Sequence, residues 1–230
     1  MKKIFLVDVD DTILDFHGVS ALALREAFGE NGVQWQEHLE EEFRSFNNNL
    51  WAALERKEIS RSTLMAERFS RFFAYMHMEQ VDGKKVNECF LRYISTHPRF
   101  IEGAEDFLLS LRSLGRIYFV TNGTKEIQQS RFDRIGLWKY AENTFISQEV
   151  GFDKPAKEYT AYVMSHIEGF RREDAVWIGD SLSADIRAAQ EAQITSIWYN
   201  PKKKSVGEGI KPDYTVSDFS EILAILEKIQ

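Results

Sequence analysis

Three aspartates stand close together near the start of the chain, in the stretch MKKIFLVDVDDTILDF. Asp8, Asp10 and Asp11 directly follow an apolar segment, residues 4–7, whose character favours burial. Like charges at this spacing repel one another, so a nearby cation is needed if all three carboxyl groups are to stay ionised. Carboxylate oxygens with no histidine or cysteine beside them suit Mg²⁺ better than zinc. The stretch therefore predicts a magnesium site directly after a buried strand.

Polar side chains also follow other short apolar segments. Thr121 and Asn122 come after IYFV, and Asp180 and Asp185 lie in GDSLSAD, which follows AVWI. Lys154 lies just before a proline in EVGFDKPAKEY. In an open parallel sheet, ligands bind at the edge where the strands have their carboxyl ends. We therefore expect these side chains to meet the aspartates at one edge of a sheet.

This set of residue types can transfer a phosphoryl group. A carboxylate held near Mg²⁺ can attack phosphorus and form an aspartyl-phosphate. A second carboxyl group, two residues further on, can protonate the departing alkoxide and then deprotonate the attacking water. The Thr121 hydroxyl, backbone N–H groups near Asn122 and the Lys154 ammonium can hold the phosphoryl oxygens.

The order of the elements predicts an α/β fold. From residue 100 onwards, short apolar segments typical of buried strands alternate with helical patterns, which indicates a Rossmann-like parallel sheet with helices on both faces. Residues 18–97 show only helical spacing. The strand at residues 3–7 needs partners from the second half of the chain, because a lone strand would leave its backbone unpaired. We expect a core of residues 1–15 and 100–230, with an all-helical domain inserted over residues 16–99.

Composition narrows the class of protein. The 230 residues are 43% hydrophobic, enough for a substantial core, and carry a formal net charge of -7, which disfavours a nucleic acid polymer as partner. Cys89 is the single cysteine, so no intramolecular disulfide can form, as is typical of a reducing compartment. No apolar run is long enough to span a membrane. We expect a cytoplasmic protein without a membrane partner; the oligomeric state stays open.

Four of these segments together resemble a known family. DVDDT, FVTNG, KP and GDSLSAD match, in order, the four motifs of the haloacid dehalogenase-like (HAD) hydrolases. The resemblance implies that Asp8 is the nucleophile and Asp10 the general acid and base. It implies that Thr121 and Lys154 bind the phosphoryl group. It also implies that Mg²⁺ is held by the Asp8 carboxylate, the Asp10 carbonyl and Asp180.

Asp185 and Asp10 refine what the resemblance implies. Asp185 would orient metal-bound water or Lys154. Dehalogenases of the family lack an aspartate at the Asp10 position, because a halide leaving group needs no proton, so Asp10 points to cleavage of a phosphate ester. Asp11 and Asn122 keep alternatives open. Asp11 has a local turn or helix-capping role as its favoured alternative, and Asn122 can serve either a backbone turn or a phosphate contact.

The inserted helices resemble the helical cap of the family, which closes over the site and selects the substrate. Candidate substrate contacts there are Phe16 and His17, which follow the first motif, and Asn47 and Trp51, which lie four residues apart on one helical face. A structural role is the alternative for His17, and a core position is the favoured alternative for Trp51.

More narrowly, the chain resembles the pyrimidine 5′-nucleotidases of the YjjG/YfnB type, through DDTILDF, NNNLWAALERKEISRSTLMAERF, GFDKPAKEY and IGDSLSADI. This resemblance implies Mg²⁺-dependent hydrolysis of a small phosphate ester, and a nucleoside 5′-monophosphate is the substrate that we expect. The alternatives are a sugar-phosphate phosphatase or a phosphomutase of the same superfamily and, more distantly, a receiver-type signalling domain that accepts a phosphoryl group.

Overall fold

The computed structural model describes residues 3–207 and 209–229, except for the side chain of Glu55. The predicted core ranges also include residues 1, 2, 208 and 230, which lie outside the described residues. The chain divides into two compact units, the first within residues 1–15 and 98–230 and the second over Phe16–His97. The second crossing lies at residues 97–98, slightly before the boundary expected near residue 100.

The second unit consists of helices throughout its regular structure. Its helices are α1 (Phe16–Glu30), α2 (His38–Glu55), α3 (Arg61–Tyr75) and α4 (Gly83–Thr96). Aromatic side chains form its interior: Phe43 stacks on Phe69 with ring centroids 4.5 Å apart, and Phe28 lies 5.4 Å from Phe73. Asp82 caps the start of α4, where its carboxylate accepts from two backbone N–H groups.

The first unit alternates strands and helices. Its strands are β1 (Lys3–Val7), β2 (Gly115–Thr121), β3 (Asn143–Ile146), β4 (Ala175–Gly179), β5 (Thr195–Tyr199) and β6 (Tyr214–Val216). Its helices are α5 (Ala104–Leu114), α6 (Lys125–Ile135), α7 (Ser147–Val150), α8 (Lys157–Ser165), α9 (Arg187–Ala192) and α10 (Phe219–Lys228). A π-helical turn, Leu182–Ile186, leads into α9.

One parallel sheet organises this unit. Within the described residues it has six strands in the order β3-β2-β1-β4-β5-β6, and each neighbouring pair is parallel. Val7 pairs with Phe119 of β2 on one side and with Ile178 of β4 on the other, so these three strands end side by side. The predicted α/β class is confirmed, with β1 central in the sheet.

Both faces of the sheet are buried. Phe5 and Val7 pack with α5, α6 and α10 on one face, whereas Ile4 and Leu6 pack with α8 and α9 on the other. Strands covered on both faces contain near-continuous apolar runs, which is what residues 4–7 show. Each fully buried side chain of this size contributes roughly 1.5–3 kcal/mol.

The insertion leaves and re-enters the first unit at adjoining points. The Asp15 N–H donates to the Arg99 carbonyl at 2.9 Å, and the side chains of these residues form an ion pair. Leu14 also forms an antiparallel bridge with Phe100. The two crossing points are therefore tied together, and β1 keeps its place in the sheet despite the inserted helices.

Two details differ from the expected elements. The short strand β6 was not predicted. It lies at the edge of the sheet and pairs with β5, so that Tyr214 lies opposite Ile197. The helical segment after β4 begins as a π-helical turn, Leu182–Ile186, and continues as α9, whereas the sequence pattern predicted ordinary helix there. Both details depend on neighbouring elements more than on local propensity.

Among the described residues, no helix is both long and apolar enough to cross a membrane.

Candidate active site

The carboxyl ends of β1, β2 and β4 bring the predicted residues to one edge of the sheet. Asp8 directly follows β1, and its N–H donates to the carbonyl of Ile178 in β4 at 2.9 Å. Thr121 is the last residue of β2, and Asp180 directly follows β4. Asp8 is only 5% exposed, so its carboxylate depends on protein groups for its hydrogen bonds.

The Lys154 ammonium holds two of the carboxylates. Its Nζ lies 2.6 Å from Asp8 Oδ1 and 2.6 Å from Asp185 Oδ1, and it donates to the Val120 carbonyl at 2.9 Å. An ammonium has three N–H donors, so these three oxygens use all of them. Lys154 is 2% exposed, and the ion pairs supply the charge compensation that a buried cation needs.

Both oxygens of Asp8 are anchored. While Lys154 binds Oδ1, the Thr12 hydroxyl donates to Oδ2 at 3.0 Å. Thr12 is fully buried and belongs to the first motif, but its contact with Asp8 was not predicted. Because two donors on different segments hold the carboxylate, its orientation is set before any substrate binds.

Asp185 lies beneath this arrangement and is fully buried. Its Oδ1 accepts from Lys154 and from the indole N–H of Trp177 at 3.2 Å, and its Oδ2 accepts from the backbone of Ser181 at 3.2 Å. A Cβ added at Gly179 would lie 2.4 Å from the Asp185 carboxyl carbon. Glycine at that position therefore makes room for the carboxylate that orients Lys154.

Three carboxylates form a candidate metal centre. One oxygen each from Asp8, Asp180 and Asp185 lies within 4.8 Å of the others. Such hard oxygen donors suit a divalent cation like Mg²⁺. Asp185 accepts three hydrogen bonds and Asp8 accepts two, so Asp8 and Asp180 keep more capacity than Asp185 to bind the cation directly.

The electrostatics of the cluster agree with that fit. Burial, followed by the Asp185 carboxylate, raises the pKa of Asp8 to about 7 despite the opposing effect of Lys154. Asp180 keeps 23% of its side chain exposed, but burial of the remainder and the neighbouring carboxylates raise its pKa well above the ordinary value. Burial disfavours the Lys154 ammonium, yet Asp185 and Asp8 outweigh it and raise the pKa of Lys154. A divalent cation would favour the ionised carboxylates.

Asp10 is held from helix α6. Arg131 Nη1 lies 2.6 Å from Asp10 Oδ1, and the Gln128 amide donates to Asp10 Oδ2 at 3.0 Å and to the Thr121 hydroxyl oxygen at 2.8 Å. Gln128 and Arg131 were not predicted as part of the site. The signal available in the sequence was two long polar side chains three residues apart on the face of α6 that also carries Phe132.

Asn122 and Asp11 serve the backbone around the site. The Asn122 side chain donates to the Lys154 carbonyl at 2.9 Å and accepts from the Lys154 N–H at 2.8 Å, so it clamps the lysine segment to the end of β2. Asp11 has a positive φ of 60°, and its N–H donates to the Leu14 carbonyl at 2.8 Å. The geometry of Asp11 is that of the local turn weighed for it, whereas Asn122 binds the backbone of a segment 32 positions away, a role that was not predicted.

The four candidate contacts in the insertion all belong to the second unit. Phe16 and His17 are the first two residues of α1, and Asn47 and Trp51 lie one helical turn apart in α2. The guanidinium of Arg61 lies 5.5 Å from the ring centroid of Trp51. Their role in binding a substrate stays a prediction.

Comparison with known proteins now adds to this geometry. The sequence model of one protein family, the haloacid dehalogenase-like hydrolases, matches residues 2–193. The chain belongs to this family. The predictions of a hydrolase and of the HAD-like fold are thereby confirmed, and the receiver-domain alternative finds no support. The phosphatase class is confirmed by the two nucleotidase relatives described next.

Three relatives match nearly the whole length of this HAD hydrolase. The HAD-hydrolase YfnB of Bacillus subtilis is 34% identical over 97% of this chain and 95% of its own. A crystal structure of YfnB bound to magnesium matches with a TM-score of 0.91, covering 98% of each chain. The pyrimidine 5′-nucleotidase PynA of Streptococcus pneumoniae is 34% identical over 98% of this chain and 95% of its own. The pyrimidine 5′-nucleotidase YjjG of Escherichia coli is 28% identical over 96% of both.

Proposed function

We propose that this HAD phosphatase hydrolyses a nucleoside 5′-monophosphate, with Mg²⁺ as cofactor and with a phosphoryl group carried transiently on Asp8. The observation that carries the proposal is the arrangement at the sheet edge. There the Asp8 carboxylate is fixed by Lys154 and Thr12, and its oxygen lies within 4.8 Å of oxygens of Asp180 and Asp185.

In the first step, an oxygen of Asp8 attacks phosphorus while the bond from phosphorus to the ester oxygen breaks. Asp10 gives its proton to the departing alkoxide, so that a neutral alcohol leaves. Asp8 suits the attack because Lys154 and Thr12 restrict its rotation, which lowers the entropic cost of reaching the reacting geometry.

In the second step, water attacks the phosphorus of phospho-Asp8 and gives a proton to the Asp10 carboxylate. The bond from phosphorus to the Asp8 oxygen breaks, which releases inorganic phosphate and restores the Asp8 carboxylate. Asp10 thus returns to its protonated form, and the two steps balance without any other acid or base.

The proposed cation would be held by the carboxylates of Asp8 and Asp180 and by the Asp10 carbonyl, with Asp185 in support. When bound, it supplies positive charge that offsets the charge developing on the phosphoryl oxygens. The raised pKa values of Asp8 and Asp180 and the magnesium found in the YfnB structure support this choice.

Thr121 and Lys154 are the proposed partners of the phosphoryl oxygens. The Thr121 oxygen accepts from Gln128, which leaves the Thr121 O–H as a donor toward the phosphoryl group. Lys154 already donates to three oxygens, so it acts through its charge, and a direct bond to phosphate would replace one of those contacts. Asn122 contributes by fixing the Lys154 backbone.

The substrate class rests on the relatives. PynA and YjjG are both pyrimidine 5′-nucleotidases, and each matches at least 96% of the present chain, the inserted helices included. We assign substrate selection to the second unit, where Phe16, His17, Asn47 and Trp51 are the proposed contacts.

A substrate panel tests this assignment. The purified protein is assayed with Mg²⁺ against pyrimidine and purine nucleoside monophosphates, several sugar phosphates and a generic aryl phosphate. We expect kcat/KM for the preferred pyrimidine nucleotide to exceed that for every sugar phosphate by at least about tenfold, roughly 1.4 kcal/mol of transition-state discrimination. Turnover of a sugar phosphate with all nucleotides ignored would overturn the nucleotidase proposal and favour the sugar-phosphatase alternative. A sugar-phosphate isomer as product would indicate a phosphomutase.

A further inference from the structure

Helix α6 buries two polar side chains that lie outside the family motifs and to which the proposed chemistry gives no role at Asp10. Gln128 is 1% exposed and Arg131 is 3% exposed, and both lie on the helix face that carries Phe132 into the core. Burying an amide and a guanidinium is costly unless their hydrogen bonds and charge are satisfied. The partners that satisfy them therefore indicate what these side chains do.

Both side chains converge on Asp10. Arg131 Nη1 lies 2.6 Å from Asp10 Oδ1 and donates to the Gln128 side-chain carbonyl at 2.7 Å. The Gln128 Nε2 donates to Asp10 Oδ2 at 3.0 Å. One Asp10 oxygen thus forms an ion pair with Arg131, the other accepts a hydrogen bond from Gln128, and these two side chains of α6 are hydrogen-bonded to each other.

The same amide also reaches the predicted phosphate site. Gln128 Nε2 donates its second N–H to the Thr121 hydroxyl oxygen at 2.8 Å. An amide nitrogen has two N–H donors, so one links to Asp10 and the other to Thr121. The proposed proton carrier and a proposed phosphoryl ligand are therefore held at a fixed separation by one side chain.

We propose that Gln128 and Arg131 are positioning residues that hold the Asp10 carboxyl group where it exchanges a proton with the ester oxygen and with water. The inference rests on the proposed function, in which Asp10 carries that proton. Without them the Asp10 side chain would rotate among other staggered conformations. Small displacements of a reacting group cost large factors in rate, since proton transfer requires hydrogen-bond distance.

The chemistry of the two side chains fits this role. Arg131 is almost fully buried, whereas the Asp10 side chain is 29% exposed, so one end of the pair is anchored in the core and the other end is accessible to a substrate. The same guanidinium nitrogen, Nη1, contacts both Asp10 Oδ1 and the Gln128 side-chain carbonyl, and the planar guanidinium fixes the directions of its N–H donors. Lysine at this position would keep the charge but would lack that fixed donor geometry.

A series of aryl phosphates isolates the proton-transfer step. The value of kcat/KM reports events up to departure of the leaving group. It is measured with Mg²⁺-loaded protein for dinitrophenyl, nitrophenyl and phenyl phosphate. Dinitrophenolate leaves without a proton, whereas phenolate needs one. The test variants are Gln128→Met and Arg131→Met, and Asp10→Asn is the reference. Gln129→Met and Arg134→Met, on the same helix, are the matched controls.

We expect Asp10→Asn to lower kcat/KM for phenyl phosphate by about 10²–10⁴-fold, the usual contribution of general acid catalysis. Gln128→Met and Arg131→Met should lower it by about 10–10²-fold, since Asp10 remains but is no longer held. For dinitrophenyl phosphate the loss should stay below about threefold in all three variants, because no proton is required. The two control variants should match the wild type throughout the series.

The possible outcomes distinguish the positioning role of Gln128 and Arg131 from the assignment of Asp10 as proton carrier. If Asp10→Asn shows the leaving-group dependence while the α6 variants lose activity equally on every ester, or not at all, the positioning role is wrong and the proposed function stands. If Asp10→Asn itself shows no such dependence, the assignment of Asp10 as proton carrier is wrong, and the positioning role falls with it.

Two conservative variants distinguish a loss of positioning from a loss of folding. Gln128→Met removes no charge, and Arg131→Lys keeps the buried cation, so both carry the test even where Arg131→Met does not fold. Arg131→Lys should recover part of the phenyl phosphate activity but retain a steeper dependence on the leaving group than the wild type. An Arg131→Lys variant with the same dependence as Arg131→Met, at equal thermal stability, would contradict a role for the ion pair.

Discussion

Asp8 is the residue on which the site is organised. Its two oxygens are bound by Lys154 and Thr12, and its N–H extends the pairing of β1 with β4. Such anchoring suits a nucleophile, because a carboxylate that is already oriented loses little entropy on reaching phosphorus. Asp11, three residues further on, is held in a backbone turn with positive φ. The two aspartates therefore differ in role although they share a chemical type.

That difference predicts the outcome of a matched pair of substitutions. Asp8→Asn should reduce phosphate release by at least about 10³-fold, because an amide is a far weaker nucleophile than a carboxylate. Asp11→Asn should change it by less than about threefold, since asparagine tolerates a positive φ as readily as aspartate does. Steady-state phosphate release, with circular dichroism as the check of folding, measures both.

Two results would count against this assignment. Asp8→Asn could retain activity close to that of the wild type, which would exclude covalent catalysis by Asp8. Alternatively, Asp11→Asn could lose as much activity as Asp8→Asn at unchanged fold, which would make the loss a general response to removing a charge from this segment.

At the level of the elements, the end of β2 and the start of α6 depend on one another. Gly123 lies between them, and a Cβ added there would lie 2.5 Å from Cγ of Gln128 and 2.7 Å from its Nε2. Glycine at this position is therefore explained by the space that Gln128 occupies. Since Gln128 also bonds Asp10 and Thr121, the loop and the helix together set the position of both residues.

Gly123→Ala should displace Gln128 and so lower kcat/KM for phenyl phosphate by about tenfold, a loss near 1.4 kcal/mol. Gly29→Ala is the control, because a Cβ at this exposed helical position meets no atom within 4 Å. Kinetics of Gly123→Ala alone, Gln128→Ala alone and the double variant form a cycle. The double variant should be little worse than Gln128→Ala; fully additive losses would show that Gly123 acts by another route.

The sequence predicted which site residues lie at the ends of strands, but it did not predict which side chains from other elements contact them. Asp8, Thr121 and Asp180 each follow or end an apolar segment, and parallel strands must align such ends, so their convergence was predictable. Gln128 and Asp10 lie 118 positions apart in the chain, and no local pattern connects a helical glutamine to a strand-end aspartate. The strand β6 was missed for the same reason, because its three residues are ordered by pairing with β5.

At the scale of the whole molecule, the carboxylate cluster links metal binding to folding stability. The pKa of Asp8 is raised from 3.8 to about 7 in the folded state, and that of Asp180 is also raised. Between pH values of about 4 and 7 the folded protein therefore binds more protons than the unfolded chain. The free energy of unfolding contributed by these groups falls as the pH rises through that window.

Thermal unfolding in the presence of a chelator should show this dependence. We expect the midpoint to fall by at least about 3 °C between pH 5 and pH 7.5, which corresponds to roughly 1 kcal/mol for a chain of this size. Added Mg²⁺ should raise the midpoint more at the higher pH, where the carboxylates are ionised. Asp8→Asn should weaken both effects, and Asp11→Asn should weaken them less, because Asp11 contributes less than Asp8 to the raised pKa of Asp180. Equal stabilisation by Mg²⁺ at both pH values would contradict the proposed metal centre.

The most direct test of the central claim is detection of the phosphoryl group on Asp8. Asp10→Asn protein is mixed with dinitrophenyl phosphate and Mg²⁺, quenched in acid, and mapped by peptide mass spectrometry. The leaving group needs no proton, whereas hydrolysis of the intermediate lacks its base, so phosphoenzyme should accumulate. We predict one added phosphoryl group on the peptide that contains Asp8, and none when Asp8→Asn is also present. Turnover without a labelled Asp8, or with the label on another residue, would contradict the account.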